Sequence, residues 1–208
     1  MVVPQISRSE RKRADILTAA RELFLAHGYL GSSVDDVASR ARVSKPTVYS
    51  HFGSKEALFV AVVSTMTNEA SDQVRRLRPE QHTHPDSDVS GFLRAYGLRQ
   101  LQVVLDPALL RLRRLVIGEV SRFPDLARAL FDGGPARAIT ELATILTTFT
   151  ERGLLHVADP RTAATHLNWM IMGGPLNEAM LSADGPTDET ALRHHVDEAV
   201  RIFLAAHS

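Results

Sequence analysis

The chain has 208 residues, with 24 Lys+Arg balanced by 24 Asp+Glu, no cysteine, and 44% hydrophobic and 6% aromatic residues. That length holds one or two domains with a real core, and this much apolar content beside 23% charged residues argues against disorder. The missing cysteine excludes disulfide scaffolds, zinc fingers and thiol catalysis. The opening MVVPQISRSERKRAD has no apolar signal-peptide core, and no stretch reaches the roughly 18 apolar residues of a membrane span, so a soluble, cytoplasmic, globular protein is expected.

Helix signals run from end to end. Ser7 and Glu10 have capping-box spacing; Ile16, Ala20, Leu23, Phe24 and His27 follow the helical period, and Gly28 supplies a stop. A short second helix is predicted from Ser33 as N-cap, with Asp36 three residues on and Val37 and Ala38 facing inward. A short third follows Ser44, with Lys45 and Pro46 in its first turn and Val48, Tyr49 and Phe52 behind them; proline fits there because its missing N–H has no helical partner.

Gly53-Ser54 opens a long helix in which Leu58, Val62 and Met66 recur every four residues, flanked by Phe59 and Val63, and the stripe thins toward Val74 and Leu77. Residues 78–88, RPEQHTHPDSD, read as a linker, after which Phe92, Leu93, Leu98, Leu101, Val104 and Leu105 resume the pattern. Asp106-Pro107 and Asp159-Pro160 each combine a cap with a first-turn proline. Pro124, Gly133-Gly134 and Pro135 are expected to break or kink the middle region, and Gly173-Gly174-Pro175 to interrupt the helix that starts near 160. A last helix is predicted from about Asp188 to Ala206. Strand signals are nearly absent, with no long apolar–polar alternation, and no internal repeat occurs, so the fold class is all-α, with roughly nine helices.

Long, short and short helices within the first 52 residues, with a turn at Arg40–Ser44, have the spacing of a helix-turn-helix, whose second short helix enters the DNA major groove. Ala38 is small where the helices must approach, and Val43 and Val48 are apolar where the third must pack. The exposed side of the third helix then carries Lys45, Thr47, Tyr49, Ser50 and His51, groups that hydrogen-bond to base edges and phosphates. Charge agrees: residues 1–56 hold nine basic and six acidic side chains, and the remainder 15 and 18. A helical hairpin with a polar outer face has the same pattern and remains the plainer alternative.

The run GYLGSSVDDVASRARVSKPTVYSHFGSKEALF, Gly28 to Phe59, resembles the DNA-binding domain of the TetR family of bacterial transcriptional regulators. The matches are Gly28-Tyr29, Ser33, Val37-Ala38, Val43-Ser44-Lys45, Thr47-Val48-Tyr49, His51-Phe52 and Lys55-Glu56-Ala57-Leu58. Farther on, LVIGEVSRFPDLARALFDGGPARA resembles the AefR-like type of TetR C-terminal domain. One position departs: Arg42 stands where the family often has glycine in a left-handed turn, at a cost of about 1 kcal/mol for a side chain.

The resemblance implies a helix-turn-helix domain over 1–54 and a ligand-binding and dimerisation domain over 55–208. It places Lys45 and Thr47 at base contacts, with Pro46 between them able to touch a thymine methyl. Tyr49 and His51 fall at phosphate-binding positions; Lys55, at the start of the fourth helix, also faces a phosphate. Ser50 is exposed beside them. Ser33 and Ser44 either cap their helices or also contact the DNA backbone. Arg8, Arg11, Lys12 and Arg13, read as an arm before the first helix, add phosphate or minor-groove contacts or form a solvated face.

The last two long helices, about 160–182 and 188–206, would pair with a second subunit through Ala164, Leu167, Met170, Ile171, Ala191, Val196, Val200, Phe203 and Leu204, so that one homodimer reads one palindromic operator of double-stranded DNA. Candidates for the pocket of a small hydrophobic or amphipathic effector are Phe92, Tyr96, Leu101, Leu105, Leu112, Leu115, Val116, Phe123, Phe131, Phe149, Trp169, Met170 and Met172, with Arg113, Arg114 or Glu119 for its polar end; most are expected to be ordinary core. His82 and His84 lie in the linker, His194 and His195 are adjacent, and no histidine pair has i, i+4 spacing, so no metal site is expected. No cofactor and no catalytic constellation is expected. The leading function is a ligand-released repressor; the alternatives are an activator, a regulator without a ligand, or a helical carrier or enzyme.

Overall fold

The computed structural model of the chain describes residues 7–75, 89–182 and 188–207. The whole linker expected at 78–88, with His82 and His84, lies outside them. The described residues form helices joined by turns and loops, with no strand. The helices are α1 (Arg8–His27), α2 (Val34–Arg40), α3 (Lys45–Phe52), α4 (Lys55–Arg75), α5 (Val89–Val104), α6 (Pro107–Glu119), α7 (Pro124–Phe131), α8 (Arg137–Glu151), α9 (Pro160–Leu181) and α10 (Glu189–His207). A π-helical turn, Asp132–Ala136, joins α7 to α8 without leaving helical backbone, so the described residues form nine continuous helical rods.

The starts of these helices follow from their caps. Ser7 Oγ accepts from Glu10 N while Glu10 Oε2 accepts from Ser7 N, and Ser33 and Asp36 repeat the arrangement for α2. Asp106 Oδ1 accepts from Ala108 N at 2.8 Å, and Asp159 Oδ1 from Arg161 N at 3.0 Å. Gly28 ends α1 at φ 74°, and Gly53 ends α3 at φ 75°.

The chain packs as two compact units, Met1–Met66 with Arg111–Leu130, and Thr67–Leu110 with Phe131–Ser208. In the first, Ile16, Ala20 and Phe24 of α1 and Leu58 and Phe59 of α4 are buried. The rings of Phe24 and Tyr29 lie 4.8 and 5.2 Å from that of Phe59, and Phe123 meets Tyr29 edge-on at 4.6 Å. His27, in phase with the apolar stripe, is exposed: it occupies the last turn of α1, beyond the buried run that ends at Phe24. Buried Ser32 places its hydroxyl 3.1 Å from Leu23 O and 2.8 Å from Gly28 O, tying the loop back to α1.

In the second unit, α5, α8, α9 and α10 enclose a core that includes Leu93, Leu101, Leu142, Leu146, Leu167, Ile171, Val200 and Phe203. The π turn falls where Gly133, Gly134 and Pro135 lower helix propensity. A Cβ on Gly133 would sit 2.8 Å from Thr67 Oγ1, and Ser71 Oγ donates to Gly133 O at 3.0 Å.

One expectation fails here. Gly173-Gly174-Pro175 does not interrupt α9, which runs unbroken from Pro160 to Leu181. Pro175 has no N–H for the carbonyl four residues back, that of Ile171. His195 Nε2 lies 2.9 Å from that oxygen, so the α10 imidazole, in the tautomer that donates there, supplies the missing bond. Pro175 is itself buried, and the packing of α9 holds the proline within a continuous helix.

Candidate nucleic-acid interface and buried polar cluster

The second and third helices present the predicted recognition surface in the first unit. Among α3 residues only Val48 is buried; Lys45, Pro46, Tyr49 and Ser50 are exposed, and Thr47 and His51 are half-buried. Ser44 Oγ accepts from Thr47 N at 3.3 Å and lies 2.7 Å from Thr47 Oγ1, so the cap and the first-turn hydroxyl are joined. Ser33 is committed in the same way, bonded to the Asp36 carboxylate and backbone N–H. These bonds hold the Asp36 carboxyl below the usual carboxylate range.

Two lysines named as DNA ligands already have partners. Lys45 Nζ donates to Asp35 Oδ2 at 2.9 Å, which raises its pKa through that hydrogen bond and the carboxylate charge. Both groups are exposed, and such a pair is weak enough for a phosphate or base edge to compete for the lysine. Lys55 Nζ sits over the Tyr29 ring, 4.3 Å from its centroid. Partial burial lowers the Lys55 pKa, with the Glu119 carboxylate acting in the opposite sense.

Arg8, Arg11, Lys12 and Arg13 do not form an arm. The Ser7–Glu10 capping box satisfies the first free N–H groups, so all four residues lie in the opening turns of α1. The Arg13 guanidinium stands 5.0 Å from the centroid of Phe52 at the end of α3. Arg42 has φ 54°, the one positive φ at a non-glycine residue among those described, where the turn was expected to favour glycine.

The thirteen residues named for an effector pocket do not share one packing unit. Leu112, Leu115, Val116 and Phe123 belong to the first. Leu115 Cδ1 lies 3.9 Å from where a Gly28 Cβ would be, and Phe123 packs on Tyr29. Tyr96, Leu101, Phe149 and Met172 are buried in the second unit, with Phe92, Leu105 and Met170 half-buried around that core. Phe131 and Trp169 face outward, with relative exposures of 54% and 43%. The Arg113 guanidinium has its pKa lowered by burial.

Residues expected to face a second subunit are largely spent within the chain's own core. Ala164, Leu167, Ile171, Val196, Val200 and Phe203 are buried, because the strongest apolar stripes of α9 and α10 pack inside the unit; Met170 and Leu204 are half-buried and Ala191 is exposed. The exposed large apolar groups of α9 and α10 are Trp169, Leu181 and Ile202, and Trp169 and Ile202 with Thr165, His166, Met170, Phe203, Ala206 and His207 line an open groove of about 530 Å³.

The second unit also holds buried polar side chains that the sequence did not single out. Gln100 Nε2 donates to Asn168 Oδ1 at 2.7 Å, with both residues buried. Tyr96 Oη and Gln100 Oε1 are buried without a hydrogen-bond partner, each omission costing about 1–3 kcal/mol. Burial drives the Tyr96 pKa strongly upward, with the Glu141 carboxylate adding to it. The sequence does carry a signal: Gln100 and Asn168 stand at apolar phases of their helices, next to Leu101 and Leu167. Among the described residues no cluster of three metal-ligating side chains occurs, and no helix is long and apolar enough to cross a membrane.

Residues 16–62 match the family described as bacterial regulatory proteins, tetR family, and residues 91–208 match the AefR-like transcriptional repressor C-terminal domain. A TetR-family transcriptional regulator from Mesorhizobium loti is 35% identical, with 98% of this chain and 100% of that one aligned at a TM-score of 0.89. The flavonoid-responsive regulator FrrA is 28% identical, with 95% and 97% covered at a TM-score of 0.80. The transcriptional activator FasR of Mycolicibacterium smegmatis is 40% identical over 72 residues, a match that takes in 35% of this chain and 32% of FasR.

Proposed function

The chain belongs to the TetR family of bacterial transcriptional regulators, and on that premise we propose that it is a cytoplasmic homodimeric repressor that holds a palindromic operator and is released by a hydrophobic or amphipathic small molecule. It is a regulator and not an enzyme. The observation that carries the DNA reading is the mounting of α3: one buried residue, Val48, fixes it, and its polar side chains face outward. The AefR-like repressor domain supports the sense of regulation. FasR supports an activator as the second reading, through a match covering a third of its length.

In this reading residues 1–54 bind DNA, and 55–208 bind the effector and the second subunit. Lys45 leaves Asp35 for a base edge, Thr47 and Pro46 read the neighbouring bases, and Tyr49, Ser50, His51 and Lys55 hold phosphates. Ser33 and Ser44 cap their helices and bring backbone N–H groups toward the same strand. The Trp169–Ile202 groove is the apolar part of the subunit contact. A hundredfold loss of operator affinity on effector binding requires about 2.7 kcal/mol of differential affinity between two conformations. FrrA's description makes a flavonoid a sensible first compound to try as effector.

The deciding experiment selects bound duplexes from a random library with the full-length protein at about 0.15 M salt. A palindrome with half-sites about 34–36 Å apart, or a multiple of that, is expected. Sequence-blind, salt-sensitive binding alone would overturn the proposal. On the selected operator, Lys55→Ala should reduce the slope of log K against log salt by about one, and Thr47→Ala should relax sequence preference. The operator's position relative to the promoter separates repressor from activator.

A further inference from the structure

We propose that Tyr96 Oη and the unbonded amide oxygen of Gln100 are the polar anchor of the effector site, and that the effector is a neutral aromatic molecule carrying a hydroxyl group. This rests on the effector reading given above. Among the described residues these are the two buried side-chain polar atoms without a hydrogen-bond partner. They stand four residues apart on α5, so one face of the helix presents both. Gln100 is not free to turn away, because its Nε2 is held by Asn168 Oδ1 across on α9.

The donor and acceptor inventory then selects the ligand group. Tyr96 Oη can donate or accept, while Gln100 Oε1 needs a donor. Exchanging the oxygen and nitrogen of both amides would leave Gln100 with an unbonded nitrogen, which needs an acceptor. A hydroxyl both donates and accepts, so it can pair with the phenol or with the amide in either arrangement. A carbonyl or ether serves only the donors, and a quaternary or fully apolar ligand leaves both atoms unpaired.

The surroundings fix the rest of the molecule. Phe92 stacks near Tyr96 with ring centroids 6.2 Å apart and meets Phe149 edge-on at 5.6 Å, an aromatic frame beside the anchor. Glu141 acts on the Tyr96 hydroxyl in the direction that disfavours a phenolate, and so disfavours any added negative charge there. The nearby cations are committed: Arg137 Nε lies 3.1 Å from Glu141 Oε1, and Arg75 Nε 3.8 Å from the same oxygen. Among the described residues, an anionic ligand would have to compete with Glu141 for Arg137 and Arg75, so a neutral one is selected.

The test uses the full-length protein and three probes of one shape: 4-phenylphenol, biphenyl and biphenyl-4-carboxylate, titrated by calorimetry and by thermal shift. The expected result is binding of the phenol at least tenfold tighter than that of either other probe. Tyr96→Phe should bring the phenol down to the biphenyl level, leave biphenyl unchanged, and leave the ligand-free melting temperature equal or higher, since it removes a buried unpaired hydroxyl. Gln100→Met should abolish the same preference. Equal affinities for phenol and biphenyl, no binding by any probe, or a preference that survives Tyr96→Phe would each overturn the proposal. Operator affinity measured on the same samples separates the two readings. Phenol binding through Tyr96 without loss of operator would keep the anchor and remove the release mechanism; operator release by a compound indifferent to Tyr96→Phe would do the reverse.

Discussion

In the first packing unit α3 is held by Val48 and turns Lys45, Tyr49 and Ser50 to the outside, whereas in the second α5 turns Tyr96 and Gln100 into the core. Polar groups on the outer face cost little to keep, because water or a weak surface pair such as Lys45–Asp35 serves them until something binds better. Those in the core cost far more, because the surrounding apolar side chains offer no substitute for water. The contrast suggests a division of labour: a surface held ready for a large, charged partner, and an interior whose unpaired atoms make stability sensitive to a small one.

The largest effect that would break this comparison is in the first unit. Phe59 is fully buried and central to the Phe24–Tyr29–Phe59 ring cluster, so Phe59→Ala should cost about 3–5 kcal/mol in urea unfolding and with it the seating of α1 against α4. A loss under about 1 kcal/mol would show that the cluster is not what holds the recognition helices. In the second unit, a Cβ on Gly97 would lie 2.9 Å from Ile171 Cδ1 and 3.0 Å from Val196 Cγ1. Gly97→Val should therefore lose about 1–3 kcal/mol through overpacking between α5, α9 and α10. Unchanged stability would mean that this part of the core has slack.

Smaller effects sharpen the contrast. Arg42 holds a left-handed turn at φ 54°, and Arg42→Gly should gain less than about 1 kcal/mol, since the relief of strain is partly offset by the freer unfolded glycine. A fall in stability would reveal a stabilising role for the Arg42 side chain, and a fall in operator affinity alone would place that side chain on a phosphate. Smallest is the response to acid. Glu10, Asp36 and Asp159 are held below the usual carboxylate range, each first by a side-chain hydrogen bond, from Ser7, Ser33 and Thr162 respectively. Their contribution is complete above the unfolded carboxylate value of about 4 and is lost as pH falls through the lower folded values. The melting temperature should thus decline below about pH 4, and Asp36→Asn should flatten that decline.

What the sequence determined by itself was everything carried within one turn of helix. The Ser7–Glu10 and Ser33–Asp36 boxes, the Asp106 and Asp159 caps and the Gly28 stop all join residues no more than four apart, and they set the order and ends of the helices. The same locality made the helix-turn-helix legible, since its outer face is defined by the period of α3 and a single buried valine. Tertiary structure decided the rest. Pro175 stays inside a helix because His195, 24 residues distant in the chain from Ile171, bonds the carbonyl that the proline leaves open. Gln100 becomes half of a buried pair because Asn168, 68 residues on, meets it across two helices. Trp169, apolar enough to belong to a core, faces outward because its neighbours Leu167 and Ile171 take the inner side of α9. Periodicity says which residues share a face; which face is buried, and which polar group completes another, depends on helices far apart in the chain arriving at the same place.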